Sequence, residues 1–370
     1  MRITHVYKTY FPESQGGLEE TIRQICAGTR ALGAENRVLT LAPHGRDYRV
    51  EREEATVIRY RRDLDIASCG MSASALMAFR WEAREADIVH YHFPWPFADV
   101  MHFSGAVSAP TVLTYHSDVV RQQKLAALYR PLMLRFLKAM TRVVATSRNY
   151  FTTSPVLQSV SDRVEVIPIG LDEASYPVPD EAVLRRVQAE VGSGFFLFVG
   201  VLRYYKGLHF LLDAVANTNM RVVIAGIGPM EQELRARARE LGLTNVIFLG
   251  YVSDSWKAAL FRLCRAVVFP SHMRAEAFGL TLVEGAMFGR PLISSEMGTG
   301  TTYVNVHGES GLVVKPGDPN DLRAAMQRLS NDDELAGKLG AGARQRYERL
   351  FTGKSMANSY YNLYQHVLGG

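Results

Sequence analysis

The chain has 370 residues, enough for two ordinary domains, and nearly half of them are hydrophobic, as expected of a globular protein with large cores. Lysine and arginine exceed aspartate and glutamate by 42 to 37, and this net charge of +5 suits acidic ligands such as nucleotides, lipid diphosphates and anionic membranes. Three cysteines without metal spacing exclude a disulfide framework, and no uncharged run reaches the ~18 residues of a spanning helix.

The expected location follows from the same features. The first residues, Met1-Arg-Ile-Thr-His-Val, predict a strand and not a signal peptide. We therefore expect a cytoplasmic protein, or one bound peripherally to the inner face of the cytoplasmic membrane. Because no recognition motif accompanies the basic charge, we expect no nucleic-acid partner.

Apolar runs alternate with helical patterns along the chain, which predicts an α/β fold with mostly parallel strands. The predicted strands are 2–7, 37–42, 56–59, 88–92, 110–115, 142–146, 164–167, 195–199, 220–225, 246–249, 266–269, 291–294 and 311–314. Prolines and a Gly-Ser-Gly predict a linker over 171–194. We accordingly expect domains at 1–172 and 173–353, with a final helix over 354–370.

Gly16 and Gly17 follow the first strand and precede a helix predicted over 19–32. Without Cβ atoms they let a ligand approach the backbone, and a helix N-terminus attracts anions. An ordinary turn explains them equally well.

The pair Asp63 and Asp65 has the spacing of a metal-binding Asp-x-Asp motif. One such pair is expected by chance in a chain of this length, and the neighbouring Arg61 and Arg62 can neutralise it. We expect no metal site here.

Two loops of the first half carry candidate binding residues, of which His92, Trp95 and Asp118 could contact a substrate and His116 could act in catalysis. His92 and Trp95 lie in an aromatic loop stiffened by prolines, where an exposed ring could stack on a sugar, although a packed loop is the alternative. His116 and Asp118 follow the strand at 110–115. The histidine could donate to a sugar hydroxyl, whereas Asp118 could instead cap a helix.

The segment 121–142 has the pattern of a basic amphipathic helix, with Arg121, Lys124, Arg135, Lys138 and Arg142 on one face. Such a helix can lie on anionic lipid, or it can pack its apolar face on the first domain. We expect Pro131 to break or restart it.

Arg203 and Lys206 follow the strand at 195–199, at the end where open α/β sheets bind ligands. A guanidinium beside an ammonium can hold a diphosphate, although two surface cations would look the same.

Gly226 and Gly228 resemble part of a dinucleotide fingerprint, but Glu231 stands in place of its third glycine, so we expect a turn and not an NAD site.

Glu276 and Glu284 lie seven residues apart around Phe278, Gly279 and Leu280, where a strand-to-helix loop leads into a predicted helix. Free N–H groups near Gly279 would attract a phosphate, and carboxylates on both sides suit the hydroxyls of a nucleotide sugar. The alternative is that Glu276 is an ordinary loop residue and Glu284 an ordinary helix-surface residue, neither of which binds a ligand.

Thr299 lies in a threonine-rich loop that could offer hydrogen-bond donors to a diphosphate.

Val199-Gly200-x-Leu202-x-x-x-Lys206-Gly207, Gly226-x-Gly228-Pro229 and Glu276-x-Phe278-Gly279-x-x-x-x-Glu284 together resemble the family 4 retaining glycosyltransferases of the GT-B fold. The resemblance implies two Rossmann-like domains whose parallel sheets face each other across a cleft, with the last helix crossing back onto the first domain. The Thr299 loop resembles that of bacterial O-polysaccharide transferases that use GDP-linked mannose or rhamnose.

The resemblance also implies roles. Arg203 and Lys206 would hold the donor diphosphate, Glu276 the donor sugar and Glu284 the ribose. The loop of Gly16 and Gly17 would face the donor phosphate, and His116 would lie near the sugar.

We therefore expect a metal-independent hexosyltransferase without a resident cofactor. Its partners would be a GDP-sugar, a lipid-linked glycan acceptor such as O-antigen, anionic membrane through 121–142, and other transferases of its pathway. The alternatives are a sugar-nucleotide 2-epimerase, a transferase that uses a UDP-sugar, an NAD-dependent dehydrogenase and an inert nucleotide-binding scaffold.

Overall fold

The protein forms two compact α/β units, Met1–Gly170 with Gly353–Gly370 and Leu171–Thr352. The structure is a computed structural model that describes residues 1–43, 45, 47–118 and 123–369, with the side chains of 123–126 outside that description. The sequence placed the division at 172 and the start of the last helix at 354, within two residues of these bounds.

The strands, in chain order, are β1 (Arg2–Val6), β2 (Glu35–Ala42), β3 (Tyr48–Glu51), β4 (Thr56–Arg61), β5 (Leu64–Ile66), β6 (Cys69–Met71), β7 (Ile88–Phe93), β8 (Thr111–Tyr115), β9 (Arg142–Ala145), β10 (Val164–Val166), β11 (Phe196–Val199), β12 (Val222–Ala225), β13 (Val246–Gly250), β14 (Ala266–Phe269), β15 (Leu292–Ser295) and β16 (Gly311–Val314). Every predicted strand is present, with ends that differ by at most two residues.

The α-helices are α1 (Gly17–Ala31), α2 (Ala73–Arg84), α3 (Pro96–Gly105), α4 (Gln123–Ala139), α5 (Arg148–Thr153), α6 (Pro155–Gln158), α7 (Glu181–Val191), α8 (Leu208–Val215), α9 (Glu231–Glu240), α10 (Asp254–Leu263), α11 (Leu280–Met287), α12 (Thr301–Val304), α13 (Pro319–Asn331), α14 (Asp333–Leu350) and α15 (Gly353–Gly369). The helix predicted at 19–32 is α1.

The first unit is built on a sheet with the strand order β10-β9-β8-β7-β1-β2-β4-β3. All its neighbouring strands run parallel except β3, which pairs antiparallel with β4 at the edge. Strand β3 and the hairpin β5–β6 were not predicted, because both are short and mostly exposed and lack the apolar runs of buried strands. The order of strands reverses between β1 and β7.

The second unit has a parallel sheet with the order β13-β12-β11-β14-β15-β16. Counted from β11 this is the doubly wound order 3-2-1-4-5-6, and its topological switch point lies between β11 and β14. The predicted parallel α/β fold is therefore confirmed for both units. Buried side chains of β11, β12 and α8 form the centre of an apolar core that covers one face of this sheet.

Two expectations about helices are wrong. The predicted linker contains α7, which begins after an Asp180 side chain that accepts from the Val183 N–H and belongs to the second unit. Pro131 does not break α4, which runs through it. Pro131 lies in the exposed part of that helix, where water can bond the backbone carbonyl that the missing N–H leaves free.

Candidate active site

The switch point of the second unit brings together residues from loops far apart in sequence. Arg203 and Lys206 follow β11, whereas Glu276 lies in the loop after β14. Because β11 and β14 are parallel neighbours, their carboxyl ends meet at the same edge of the sheet. The sequence predicted each loop separately; the strand order places them side by side.

Lys206 and Glu276 form an ion pair in this edge. The ammonium lies 2.5 Å from Glu276 Oε2, and both side chains are about nine-tenths buried. Lys206 also stands 4.5 Å from the ring centroid of Phe269, and Ser271 Oγ lies 3.5 Å from Glu276 Oε2. The pairing stabilises both charges in a poorly solvated place, so a cation and a carboxylate are held ready at the sheet edge.

Arg203 differs from Lys206 because it is exposed. Its backbone is extended, and its guanidinium has no ion pair or hydrogen bond with any residue that the structure describes. An unengaged guanidinium fork beside a paired ammonium can accept an arriving diphosphate through two parallel hydrogen bonds.

Gly279 lies immediately before α11 and adopts the left-handed conformation, with φ of 87°. No side chain caps this helix end, so its first N–H groups are open to an anion. Phe278 is buried, and the Thr281 hydroxyl donates to the Val199 carbonyl at 3.1 Å, which ties α11 to the end of β11. Leu280 begins the helix as predicted.

Glu284 is buried on α11 and has partners that the sequence did not reveal. The Tyr176 hydroxyl donates to Glu284 Oε1 at 2.9 Å, and Lys257 Nζ lies 3.0 Å from the same oxygen. Burial lowers the pKa of Lys257, but the carboxylates of Glu284 and Asp254 together outweigh this and raise that pKa above its usual range. Glu284 Oε2 has no partner within the described part of the chain, so it can accept from a hydroxyl.

Gly226 and Gly228 serve close packing. A Cβ at Gly226 would overlap the Gly200 carbonyl, and one at Gly228 would lie 2.5 Å from the Leu202 nitrogen. These glycines let the loops after β11 and β12 touch. Pro229 lies before α9 and not at its first helical position, because the Met230 N–H bonds back to the Leu202 carbonyl in this turn.

Thr299 is fully buried, and its hydroxyl lies 3.2 Å from Thr301 Oγ1. The next residue, Gly300, donates to the Ala277 carbonyl at 2.7 Å. The hydroxyl is thus enclosed by protein, and its contact with a diphosphate stays a prediction. The loop of Thr299 supports the segment that carries Phe278 and Gly279.

In the first unit, Gly16 and Gly17 begin α1, as predicted, but a carboxylate already stands beside them. Glu19 Oε2 would lie 2.8 Å from a Cβ at Gly16, and Glu19 Oε1 accepts from Thr9 at 2.9 Å and from Ser14 at 2.6 Å. A phosphate would meet this charge, so donor binding at the two glycines stays a prediction.

His116 ends a buried line of imidazoles. Its Nε2 lies 3.0 Å from His92 Nδ1, and His92 Nε2 lies 3.1 Å from His5 Nδ1. Burial lowers the pKa of His116 to about 3, so the ring is neutral near pH 7. The cause is desolvation, which disfavours the charged imidazolium.

The proposed acceptor residues are less accessible than expected. Trp95 is 1% exposed and donates its indole N–H to the Gly70 carbonyl at 2.9 Å. The packed-loop alternative is therefore correct for Trp95, since apolar burial and one hydrogen bond satisfy the whole ring. His92 is equally buried and cannot itself touch an acceptor. Asp118 Oδ1 accepts from Tyr115 and from Ser154, both at 2.9 Å.

Two groups of residues have metal-like spacing. Asp63 pairs with Arg61 at 3.1 Å and Asp65 with Arg62 at 2.7 Å, which confirms the predicted neutralisation. Separately, one ring nitrogen from each of three buried histidines lies within 4.8 Å of the others. Hydrogen bonds to protein groups account for every nitrogen of those rings, which belong to His5, His90 and His92.

The residues of the predicted membrane-binding helix, 121–142, differ in their exposure. Arg121 lies outside the described residues, as does the side chain of Lys124. Arg135 and Lys138 are exposed, whereas Phe136 and Met140 of the adjoining apolar face are buried in the first unit and cannot enter lipid. None of the described helices is both long and apolar enough to cross a bilayer.

Two α/β units, each with a mainly parallel sheet and a switch point, define the class of the protein as a transferase of the GT-B fold. Two family models match: "Glycosyltransferase Family 4" over residues 15–175 and "Glycosyl transferases group 1" over residues 180–346. The chain belongs to the family 4 glycosyltransferases.

Relatives of assigned activity cover almost the whole chain. D-rhamnosyltransferase WbpZ of Pseudomonas aeruginosa is 51% identical over 95% of this chain and 92% of its own. O-antigen chain mannosyltransferase C of Escherichia coli is 45% identical over 100% and 99%.

Solved structures agree in fold. Sucrose-phosphate synthase from Thermosynechococcus elongatus has a TM-score of 0.84 at 20% identity, covering 100% of this chain and 99% of the other. Anabaena HepE in complex with UDP and glucose has a TM-score of 0.79 at 17% identity, covering 99% and 100%.

Proposed function

We propose that this glycosyltransferase moves mannose or D-rhamnose from a GDP-sugar to a hydroxyl of a lipid-linked or surface polysaccharide such as O-antigen, with retention at the anomeric carbon. The observation that carries the proposal is the edge where Arg203, without an ion pair among the described residues, lies close in sequence to the Lys206–Glu276 pair. The activities for which the two relatives are named support the sugar and the acceptor.

Each residue of this edge has a chemical task in the proposal. Arg203 and Lys206 bind the diphosphate together with the N–H groups after Gly279. As the diphosphate takes over Lys206, Glu276 is released to accept from hydroxyls of the donor sugar. Glu284 Oε2 accepts from the ribose, while Lys257 and Tyr176 hold its other oxygen.

The reaction breaks the bond between the anomeric carbon and a phosphate oxygen. The acceptor oxygen then bonds to the same face of that carbon, and its proton passes to the leaving diphosphate. The main contribution of the protein is electrostatic stabilisation of this leaving group by Arg203 and Lys206. These two cations occupy the role that a divalent metal has in other transferases, so activity should survive EDTA.

The supporting experiment is a thermal-shift panel with GDP, UDP, ADP, NAD, GDP-mannose and GDP-rhamnose, each with and without EDTA. A ligand at about 100 times its Kd stabilises the folded state by roughly 2.7 kcal/mol. We expect a shift with GDP and a GDP-sugar that EDTA does not change. A shift with UDP or ADP alone would contradict the proposed donor.

Arg203→Ala tests the assignment within the site. Arg239→Ala is the matched control, because Arg239 is also an exposed arginine of the second unit without an ion pair among the described residues. Loss of the Arg203 guanidinium should lower turnover on the order of 10²-fold, by analogy with lost oxyanion donors. Near-full turnover of Arg203→Ala would refute its role.

An acceptor assay separates transfer from epimerisation. Incubation of the GDP-sugar with a mannose- or rhamnose-terminated glycolipid should give an extended glycan. Conversion of the donor sugar without any acceptor would instead identify a 2-epimerase.

For the membrane, we propose that the exposed Arg135 and Lys138 contact anionic lipid headgroups, which sedimentation with phosphatidylglycerol vesicles would test.

A further inference from the structure

A continuous line of hydrogen-bonded side chains runs through the switch point of the first unit. His5 Nε2 lies 3.3 Å from Asn36 Oδ1, and His5 Nδ1 lies 3.1 Å from His92 Nε2. His92 Nδ1 in turn lies 3.0 Å from Nε2 of His116. The line begins on β2, crosses β1 and β7, and ends just beyond β8. We call these four residues the imidazole line.

Asn36 gives the line a direction. Its Nδ2 donates to the Cys26 carbonyl at 2.8 Å, and because a carbonyl can only accept, the amide is fixed with Oδ1 toward His5. An amide oxygen also only accepts, so the proton of His5 is on Nε2. A neutral imidazole has one N–H, which leaves His5 Nδ1 as an acceptor.

The same rule then applies along the line. His92 must donate from Nε2 to His5, so its Nδ1 is an acceptor, and His116 must donate to it from Nε2. Burial supports a single protonation pattern, because it lowers the pKa of His5 to about 4, that of His116 to about 3 and that of His92 well below its usual value. All three rings are therefore neutral near pH 7.

The line ends in a free lone pair. His116 Nδ1 has no hydrogen-bond partner within the described residues, and His116 is the most exposed member of the line, at 8%. The neighbouring His90 is different: its nitrogens are taken up by Tyr364 at 2.7 Å and Thr114 at 2.8 Å. The imidazole line is thus a separate series with one open end.

We propose that Asn36, His5 and His92 are positioning residues that lock His116 in the Nε2–H tautomer and present its Nδ1 as an acceptor for a sugar hydroxyl. The identity of that hydroxyl rests on the proposed function, whereas the tautomer does not. With its proton on Nε2, His116 can only accept a hydrogen bond at Nδ1, so the sugar hydroxyl has to donate. The opposite tautomer would carry an N–H at Nδ1 and would donate to the hydroxyl instead.

The tautomer can be measured without substrate. In protein labelled with ¹⁵N-histidine, long-range ¹H–¹⁵N correlation spectra report which ring nitrogen carries the proton, and single His→Gln variants assign the signals. We expect protons on Nε2 and bare Nδ1 atoms for His5, His92 and His116. A proton on His116 Nδ1, or stoichiometric zinc bound to the line, would overturn the inference.

Substitutions at His92 test the coupling. His92→Phe removes both hydrogen bonds, so the His116 signals should show mixed tautomers. Its kcat should fall on the order of 10- to 100-fold, as for lost partners that fix a ring. His92→Gln supplies an N–H and a carbonyl in place of the ring nitrogens, so it should keep the tautomer and most of kcat. His90→Gln is the matched control on the same strand and should leave the His116 signals unchanged.

The outcomes separate the two proposals. Failure of GDP to bind the wild-type protein would refute the proposed function and leave the tautomer result intact. A His92→Gln variant that keeps the tautomer but loses as much kcat as His92→Phe would overturn positioning, because His92 would then have to carry a proton. If His92→Phe does not fold, the wild-type spectrum and His92→Gln still decide the inference.

Discussion

At the scale of single residues, the second unit holds opposite charges together before any ligand arrives. Lys206 and Glu276 satisfy each other at 2.5 Å, whereas the guanidinium of Arg203 remains exposed. In the proposed function, a diphosphate would have to compete with Glu276 for Lys206, whereas the exposed Arg203 would be available to it. This competition means that part of the gross affinity of the diphosphate is offset by the broken ion pair.

The competition predicts unequal effects at the two glutamates. Glu276→Gln should leave GDP affinity unchanged or raise it, because it frees Lys206, while transfer falls strongly because the sugar loses its carboxylate. Glu284→Gln should weaken GDP binding by about 1.5–3 kcal/mol, the range for hydrogen bonds to charged groups. Calorimetry with GDP and a transfer assay measure both, and the reverse pattern would exchange the assigned roles.

Most residues of this edge were predictable, because charged side chains after apolar strands are visible in the sequence. Arg203, Lys206 and Glu276 were noticed in this way, and Glu284 was noticed from its spacing to Glu276. Tyr176 was not, since it lies 108 residues from its partner Glu284 in a stretch that predicted only a linker. The contact forms because folding brings the segment that contains Tyr176 next to α11, which carries Glu284.

At the scale of elements, glycines set how closely the loops of the second unit approach each other. Gly207 joins the Lys206 turn to α8 with φ of +70°, and a Cβ there would overlap the Pro270 carbonyl at the end of β14. The short distance between the β11 and β14 loops, on which the Lys206–Glu276 pair depends, therefore requires a residue without a side chain.

Gly207→Ala tests this dependence against Gly242→Ala. Gly242 also has a positive φ, +62°, but nothing lies within 4 Å of its Cβ position. Its substitution should cost only the left-handed strain, about 1 kcal/mol. Gly207→Ala should cost a further 1–3 kcal/mol from overpacking, roughly, and should also weaken GDP binding. Equal losses of stability in urea unfolding would contradict the close approach.

Elements were predicted unevenly for a physical reason. Buried strands such as β14 are apolar throughout and were found within two residues, whereas β3 and the β5–β6 hairpin are mostly exposed. Helix α4 continues through Pro131 because packing of the flanking residues outweighs the loss of one backbone bond. A proline predicts a helix break from a single position in the sequence. The packing that keeps the helix intact involves residues far apart in the chain, so it is not visible in the local sequence.

At the scale of the whole molecule, buried histidines are concentrated in the first unit. Burial lowers the pKa of His5, His90, His92 and His116 there. The histidines of the second unit with lowered pKa values, His209 and His272, are only partly buried. The first unit should therefore respond more strongly to acid.

Acidification from about pH 7 to about pH 5 should destabilise the first unit more than the second. Below about pH 6.5 the histidines of the unfolded chain bind protons, whereas the buried histidines of the folded chain stay neutral. The free energy of unfolding therefore falls by about 1.4 kcal/mol per pH unit for each buried ring. Asp99 opposes this: burial raises its pKa to about 8, so its contribution becomes more favourable as pH falls toward 4. A single carboxyl offsets only one of the four rings.

Hydrogen exchange read by mass spectrometry, corrected for its intrinsic pH dependence, measures the two units separately. We expect protection to fall first in β1, β7 and β8, with the strands of the second unit as the internal control. Parallel loss of protection in both units would contradict the assignment of acid sensitivity to the buried histidines.

The amino-acid sequence alone was enough to predict the α/β class, the position of nearly every buried strand and the loops whose charges suit a nucleotide sugar. These features are encoded locally, in apolar runs and in the residues that follow them. Only the tertiary structure decided which side chains meet: Lys206 with Glu276 across 70 residues, and His5 with His92 across 87. The reason is strand order, because each sheet reverses at a switch point and so makes neighbours of strands that are distant in the chain.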